Sequence, residues 1–314
     1  MRYSRQEFYK NIGKQGQKIL SKSHVVIVGV GALGSVAADL LCRAGVGKLT
    51  LIDRDYVEEH NLQRQSLYTE ADIGQAKAVA ALEHLKRINS TVQLVSHVTD
   101  LYHENVSLLQ GDVVIDGTDN MDTRFLINEY CVKQKIPWVY GSAIRDEGYV
   151  KAFTPGQACF RCLFGPVSGL ETCDTSGVIN SITHLIASLQ VSFVLQLLVG
   201  KKPSLDLLHI NAWTPTFEQL TVKKNMSCPS CKGNYEYLSG QQRTPLIKFC
   251  GSSHYQMRGK PIPLPELAKR LKGSEYTGSC LLFGHLTIFE DGRVLIKAKN
   301  ETEARSLYTK YIGA

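Results

Sequence analysis

Residues 26–35, VIVGVGALGS, and residues 51–65, LIDRDYVEEHNLQRQ, decide how this chain folds. In the first stretch an apolar run ends in Gly29-x-Gly31-x-x-Gly34 and passes into LGSVAADLLCRAG, a helical pattern closed by Gly45. A strand, a glycine turn and a helix in that order set backbone amides at a helix N-terminus, where phosphate binds. The first glycine permits the tight turn. The second lets a phosphate approach the backbone, and the third lets helix and strand pack closely. Asp53 closes the next strand, nineteen residues after Gly34, and a carboxylate there can accept hydrogen bonds from ribose hydroxyls. These residues alone suit an NAD-dependent oxidoreductase as well as any other user of a nucleotide.

Outward from that stretch, strand and helix patterns alternate. HVVIVGVG, KLTLID, VQLVSHV, DVVIDGTDN and IPWVYGSA read as strands, with GQAKAVAALEHLKRIN as a helix among them. Strands separated by helices imply an α/β fold, a doubly wound and mostly parallel sheet of Rossmann type. YVKAFTPG reads as a strand leaving that sheet. The character changes after CPSCKGNYEYLSGQQRTP. LIKFC reads as a strand, LPELAKRLKG as a helix, LTIFEDGRVLIKA as a hairpin with an Asp-Gly turn, and NETEARSLYTKYIG as a helix capped by Asn300 with Glu303 three residues on. The expected division is a nucleotide-binding domain over 1–237 and a small α+β domain over 238–314, for which no motif assigns a role.

Composition narrows the class. No cationic leader precedes an apolar stretch, and LIASLQVSFVLQLLVG is short for a membrane span and contains Ser and Gln. A buried helix is expected there, and a cytoplasmic protein. In a reducing compartment the nine Cys point to metal binding or chemistry before disulfides. The net charge of +7 comes without a Lys/Arg run interleaved with aromatics, so it suits a nucleotide or an acidic protein better than nucleic acid.

The second half of the opening stretch separates the nucleotide readings. Asn61, Arg64 and Gln65 follow Asp53 directly, and Lys77 opens the next helix. A nicotinamide needs a flat, apolar pocket. A cluster of Arg, Lys and Asn fits a triphosphate whose charge is stabilised during attack. Asp116, Asp119 and Asn120 end the fourth strand, and carboxylates at that place are natural magnesium ligands. Cys159 and Cys162 form one C-x-x-C, and Cys228 and Cys231 form another. Together they can complete a closed, tetrahedral structural zinc site with no open position for catalysis.

GVGALGS, LIDRDYVEEHNLQRQ, DIGQAKA and DGTDNMDTRFLIN together resemble the ThiF/MoeB/HesA family of adenylating enzymes, relatives of the ubiquitin-activating enzymes, over roughly residues 1 to 232. The resemblance implies an adenylyltransferase that uses ATP as a substrate, with Mg2+. It would adenylate the C-terminal glycine of a ubiquitin-like sulfur carrier ending in Gly-Gly, for thiamine (ThiS-like carrier) or molybdopterin (MoaD-like carrier) synthesis. A cysteine desulfurase or rhodanese-type protein would give the sulfur. Adenylation of a peptide or of a ubiquitin-like modifier is the alternative within the family. Gly29, Gly31 and Gly34 would line the phosphate loop and Asp53 would hold the ribose. Asn61, Arg64 and Lys77 would contact phosphates, Asp119 would bind magnesium, and the four paired cysteines would bind zinc. Arg5, in YSRQ, matches the arginine that a homodimer offers to the neighbouring subunit's ATP.

Cys173 sits in a polar stretch before a helix, a setting that favours a thiolate. It resembles the position at which ThiF-type members link to the activated carrier, and it reads equally as a loop cysteine without chemistry. Cys250, in KFCGSSHYQMRG, is a weaker candidate to accept sulfur. After Cys173 the family's run of small and Gly-Pro residues is replaced by INSITHLIASLQ, in which His184 reads as a packed core histidine. Cys42, Cys131 and Cys280 sit in apolar contexts and read as core.

Overall fold

Two short helices, α1 (Ser4–Phe8) and α2 (Gly13–Leu20), precede β1 (His24–Val28), whose Val25, Val26 and Ile27 are fully buried. Such a strand is apolar on both faces because helices cover both. The computed structural model describes residues 2–165, 176–241, 246–248, 254–259, 261–277 and 280–313; Cys173 and Cys250 lie outside them. Next come α3 (Gly34–Ala44), β2 (Lys48–Ile52), α4 (Lys77–Ile88), β3 (Gln93–His97), β4 (Val113–Asp116), α5 (Met121–Gln134) and β5 (Trp138–Ile144). The strands lie in the order β3-β2-β1-β4-β5, all parallel. This is the doubly wound arrangement expected, in which ligands bind at the strands' C-terminal ends where the order reverses, between β1 and β4.

The sheet continues beyond β5. β6 (Glu147–Phe153), β7 (Leu207–Asn211) and β8 (Thr216–Leu220) extend it antiparallel, giving eight strands among the described residues. YVKAFTPG therefore does not leave the sheet. The turn at Arg145 and Asp146 is too short to carry the chain elsewhere, and β6 pairs with β5 from Ile144↔Glu147 to Trp138↔Phe153. Between β6 and β7 lie α6 (Phe160–Leu163) and α7 (Asn180–Leu198). By length and composition α7 would pass for a membrane span. It packs instead on β5, β6 and α3, with Ile182, Ile186 and Val194 fully buried. Gln190, also buried, donates to the carbonyls of Asp116 (2.7 Å) and Val139 (3.3 Å). One sheet face carries α3, α4 and α7; the other carries α5 and α6.

The chain divides into two units, Met1–Gln241 and Gln242–Ala314. The second holds β9 (Leu246–Lys248), β10 (His254–Arg258), α8 (Leu264–Arg270), β11 (Glu275–Tyr276), β12 (Cys280–Phe283), β13 (Leu286–Phe289), β14 (Arg293–Lys297) and α9 (Glu301–Tyr311). Its strands form an antiparallel sheet in the order β11-β12-β13-β14-β10-β9. Leu281, Ile288, Val294 and Ile296 meet Leu264, Leu267 and Ala304 of the helices in its core. Asn300 accepts the Glu303 amide at 2.9 Å, as an N-cap does. Cys280 is half-buried and bonded to Thr277 rather than packed in the core.

The ligand edge is set by a backbone contact. Gly29 has φ +81°, and a Cβ on it would stand 2.7 Å from the Gly117 carbonyl oxygen. A Cβ on Gly34 would stand 1.9 Å from the Gly29 carbonyl oxygen, whereas Gly31 would meet only Gln65 Nε2 at 3.7 Å. Gly34→Ala is therefore expected to lower stability by about 2–3 kcal/mol through overpacking. Gly31→Ala should stay within about 0.5 kcal/mol of the parent. Urea unfolding followed by circular dichroism checks both; equal midpoints for the two variants would contradict the packing argument.

Candidate active site and zinc centre

Asp53 ends β2 beside the glycine loop and is buried. Its Oδ2 accepts the Val30 amide and its Oδ1 the Asp55 amide, both at 2.7 Å. Burial, with the Asp55 charge adding to it, pushes this carboxyl up to about 6, although Lys77 and the two amides favour its ionised form. The two backbone amides fix the carboxyl against the loop that carries Val30. The Tyr68 hydroxyl donates to the Val30 carbonyl (2.7 Å) and lies 3.2 Å from the Lys77 carbonyl, bringing the glycine loop to the start of α4.

Lys77 is the first residue of α4 and is buried, with Nζ 3.4 Å from Asp55 Oδ2. Burial opposes its charge, yet Asp55, Asp53 and Asp119 together hold the ammonium above its ordinary value. Arg54, beside them, pairs with Asp100 at 2.8 Å and with Asp55 at 3.4 Å. Asp119 is exposed on the turn after β4, and its charge reaches Lys77, Arg54 and Arg124. Gln65 is 4% exposed, lies against Gly31, and has an Oε1 with no partner among the described residues. A buried acceptor of that kind has a place for a ligand donor.

Asn61 is buried, and its Oδ1 accepts the Glu58 amide at 3.1 Å, closing a helical turn over Glu59–Asn61. Its amide nitrogen is the group left to meet a phosphate. Arg64 donates from Nη1 to the His60 carbonyl at 3.0 Å, folded along its own loop. Asn120 acts as the N-cap of α5, accepting the Thr123 amide at 2.8 Å.

Two sequence readings change. Asp116 is fully buried and is no magnesium ligand: Oδ1 accepts from Thr118 N and Oγ1 at 2.9 and 2.6 Å, and Oδ2 from Arg124 Nε at 3.0 Å. It braces the turn that presents Asp119. His184 is half-buried and hydrogen-bonded to Ser66, not packed in the core. Arg5 is exposed on α1, which lies where α3 and α4 end: Gln6 donates to the Ala44 carbonyl, and Asn89 to the Tyr3 hydroxyl. The eleven residues of α3, about 16 Å of helix, separate that end from the glycine loop. Asp55, Tyr68 and Arg124 were not singled out from sequence. Asp55, two residues after Asp53 and on the same side of the chain, carried the one usable signal.

The four paired cysteines converge. Their Sγ atoms all lie within 4.8 Å of one another. Close pairs are Cys159 to Cys162 at 3.8 Å, to Cys228 at 3.6 Å and to Cys231 at 3.5 Å, with Cys162 to Cys231 at 3.6 Å. Sulfurs about 2.3 Å from a tetrahedral centre stand about 3.8 Å apart, so the set fits zinc with no open position. Burial pushes the thiols of Cys159 and Cys231 up, Cys231 to about 11, and nearby sulfurs raise Cys159 further; a dication is what makes four adjacent thiolates favourable. Asn128 and Glu129 of α5 brace the centre. Asn128 Oδ1 accepts the Phe160 amide at 2.8 Å, and Glu129 Oε2 accepts the amides of Tyr237 (2.8 Å) and Leu238 (2.9 Å). Protein purified without chelator should carry one zinc per chain by metal analysis. Cys228→Ser should lose most of it and lower Tm by about 2–4 °C for each kcal/mol lost. Full zinc content in that variant would contradict the assignment.

The comparisons with known proteins agree with this geometry. Residues 3–230 match the ThiF family. The chain is 37% identical to the sulfur carrier protein ThiS adenylyltransferase of Bacillus subtilis (strain 168), with 99% of each chain covered. It is also 37% identical to the adenylyltransferase and sulfurtransferase MOCS3 of Aedes aegypti, over 74% of this chain and 55% of that protein. Among solved structures, E. coli MccB with ATP has the same fold, with a TM-score of 0.66 over 74% of this chain and 73% of that one, at 22% identity. With its glycine loop, its carboxylates around Lys77 and its four-cysteine centre, the chain belongs to the ThiF family.

Proposed function

We propose that the protein is an ATP-dependent adenylyltransferase acting on the C-terminal glycine of a ubiquitin-like sulfur carrier. The observation that carries this reading is the group formed by Lys77, Asp53, Asp55 and Asp119 at the C-terminal ends of β2 and β4, beside the glycine loop. With a divalent cation on its carboxylates such a group fits a triphosphate, and it offers no flat apolar surface to a nicotinamide. The ThiS-activating relative is matched along its whole length, second unit included, whereas MOCS3 is matched over about half. A ThiS-like carrier and thiamine synthesis are therefore the first choice, and a MoaD-like carrier the second. Trp213 and Phe217, 75% and 65% exposed, lie at the hairpin between β7 and β8 on the same sheet edge and suit contact with a protein partner.

The carrier's carboxylate is already ionised near neutral pH, so no strong base is required. Its difficulty is repulsion by the phosphates. Lys77 and Arg64 offset that repulsion and stabilise the departing pyrophosphate, and the loop amides around Gly31 bind it at the start of α3. Asp119 and the neighbouring Asp55 are the carboxylates that would hold magnesium, which supplies further neutralising charge. Asp53 orients the ribose, so that the α-phosphorus faces the incoming carboxylate. The product is a mixed anhydride open to attack by sulfur. Cys173 is the candidate for a covalent link to the activated carrier. A sulfur donor of cysteine desulfurase or rhodanese type and a cytoplasmic setting complete the reading.

Arg5 lies far from its own glycine loop, which supports a homodimer in which it serves the neighbouring subunit. Asp119→Ala is expected to lower carrier-dependent ATP–pyrophosphate exchange at least about 100-fold with the fold intact. Activity within threefold of the parent would remove Asp119 from the site. Arg5→Ala should cost about 100-fold as well. Mixing the two variants should then restore about a quarter of the parent rate, because half of the randomly reassorted dimers hold one complete site. No recovery after verified subunit exchange would place Arg5 outside the partner's site.

A further inference from the structure

The loop bearing Asn61, Arg64 and Gln65 is held by a side chain outside the nucleotide-contacting set. On α7, His184 Nδ1 lies 2.8 Å from the Asn180 carbonyl oxygen, and Nε2 lies 3.1 Å from Ser66 Oγ. A carbonyl only accepts, so this network assigns the proton to Nδ1 and leaves Nε2 to accept from the Ser66 hydroxyl. Three residues earlier in the loop, Gln63 Nε2 donates to the Val178 carbonyl at 3.4 Å, just before α7 begins. Arg64 and Gln65 therefore lie between two attachments to one helix start. Past Ser66 the loop is fixed to the glycine turn through Tyr68.

We propose that His184 is a positioning residue: by holding Ser66 it sets the loop that presents Arg64 and Gln65 to the nucleotide. The proposal rests on the adenylation reading for its kinetic consequence. His184 is half-buried in α7 and turned to the loop, and the reaction described above needs no base from it. Its α7 backbone is anchored by Ile182 and Ile186, both fully buried, and the Asn180 carbonyl holds the imidazole through Nδ1. A loop freed from that post must be ordered when ATP binds, which weakens binding without altering the reacting groups. One hydrogen bond of this kind corresponds to about a three- to tenfold change in affinity.

The test is a double-mutant cycle with Ser66→Ala, His184→Ala and the pair, plus His184→Gln, whose Oε1 can accept from Ser66. Two quantities are read: the ATP Kd by equilibrium dialysis, and KM and kcat for ATP in carrier-dependent pyrophosphate exchange. Each single alanine variant should raise Kd and KM about three- to tenfold with kcat within twofold. The double variant should be no worse than the weaker single one, and His184→Gln should recover most of the loss. Additive effects, a fall in kcat with KM unchanged, or ATP affinity equal to the parent in every variant would overturn the proposal. Should His184→Ala fail to fold, Ser66→Ala and His184→Gln carry the same comparison. Absence of exchange in the parent would defeat the adenylation reading, while the Kd cycle would still decide the role of His184.

Discussion

The Gly29 carbonyl and the backbone of Gly117 lie so close that a Cβ on either glycine would overlap the other residue. That contact sets the turn after β1 against the turn after β4, at the point where the strand order reverses. Two of the carboxylates at the ligand edge are tied to these two turns. Asp53 is bonded to the amide of Val30 in the first, and Asp119 stands on the second. Phosphate chemistry needs donors and cations that are already in place, since reorganising them during the reaction would consume the stabilisation they give. A rigid backbone contact supplies that placement more firmly than long side chains can.

Burying charge to achieve this is costly, and the protein offsets the cost with matched partners. Asp116 is wholly buried, and burial pushes its carboxyl up, while Arg124 and Thr118 oppose that shift and favour its ionised form. Lys77 is set among three carboxylates. A triphosphate would join this arrangement as an additional anion, countered by Arg64 and a metal ion. The zinc centre would pair charge in the same manner, four thiolates around a dication, beside the apolar contacts of Phe160, Phe125 and Tyr237.

Much of the parallel sheet was legible because its strands are apolar on both faces and end in turn residues. The antiparallel continuation was not. β8 is exposed along its whole length, so TFEQL carries no burial pattern to read, and the short turn at Arg145 hides the link between β5 and β6. The site shows the same division. The glycines, Asp53, Lys77 and the cysteine pairs have spacings that follow from backbone geometry or metal coordination. Asp116 was misread because its residue type suits magnesium equally well; only the position of Arg124, eight residues on, shows that it faces inward. His184 was misread because its neighbours in sequence are apolar, while its partner Ser66 is distant in the chain and near only in space.

The way the cysteines are disposed bears on how this protein survives its own chemistry. On the proposed reading it works beside persulfides and thiocarboxylates, which exchange with any free thiolate. Cys42 and Cys131 are removed from that traffic by burial, which pushes both thiols up, Cys42 to about 11, so that neither is ionised at neutral pH. Cys159 and Cys228 are also buried, and coordination to a metal takes the nucleophilic lone pairs of the zinc set out of circulation. On that reading metal ligation would act as chemical insulation as well as a staple, keeping the four sulfurs of the zinc set from exchanging with reactive sulfur.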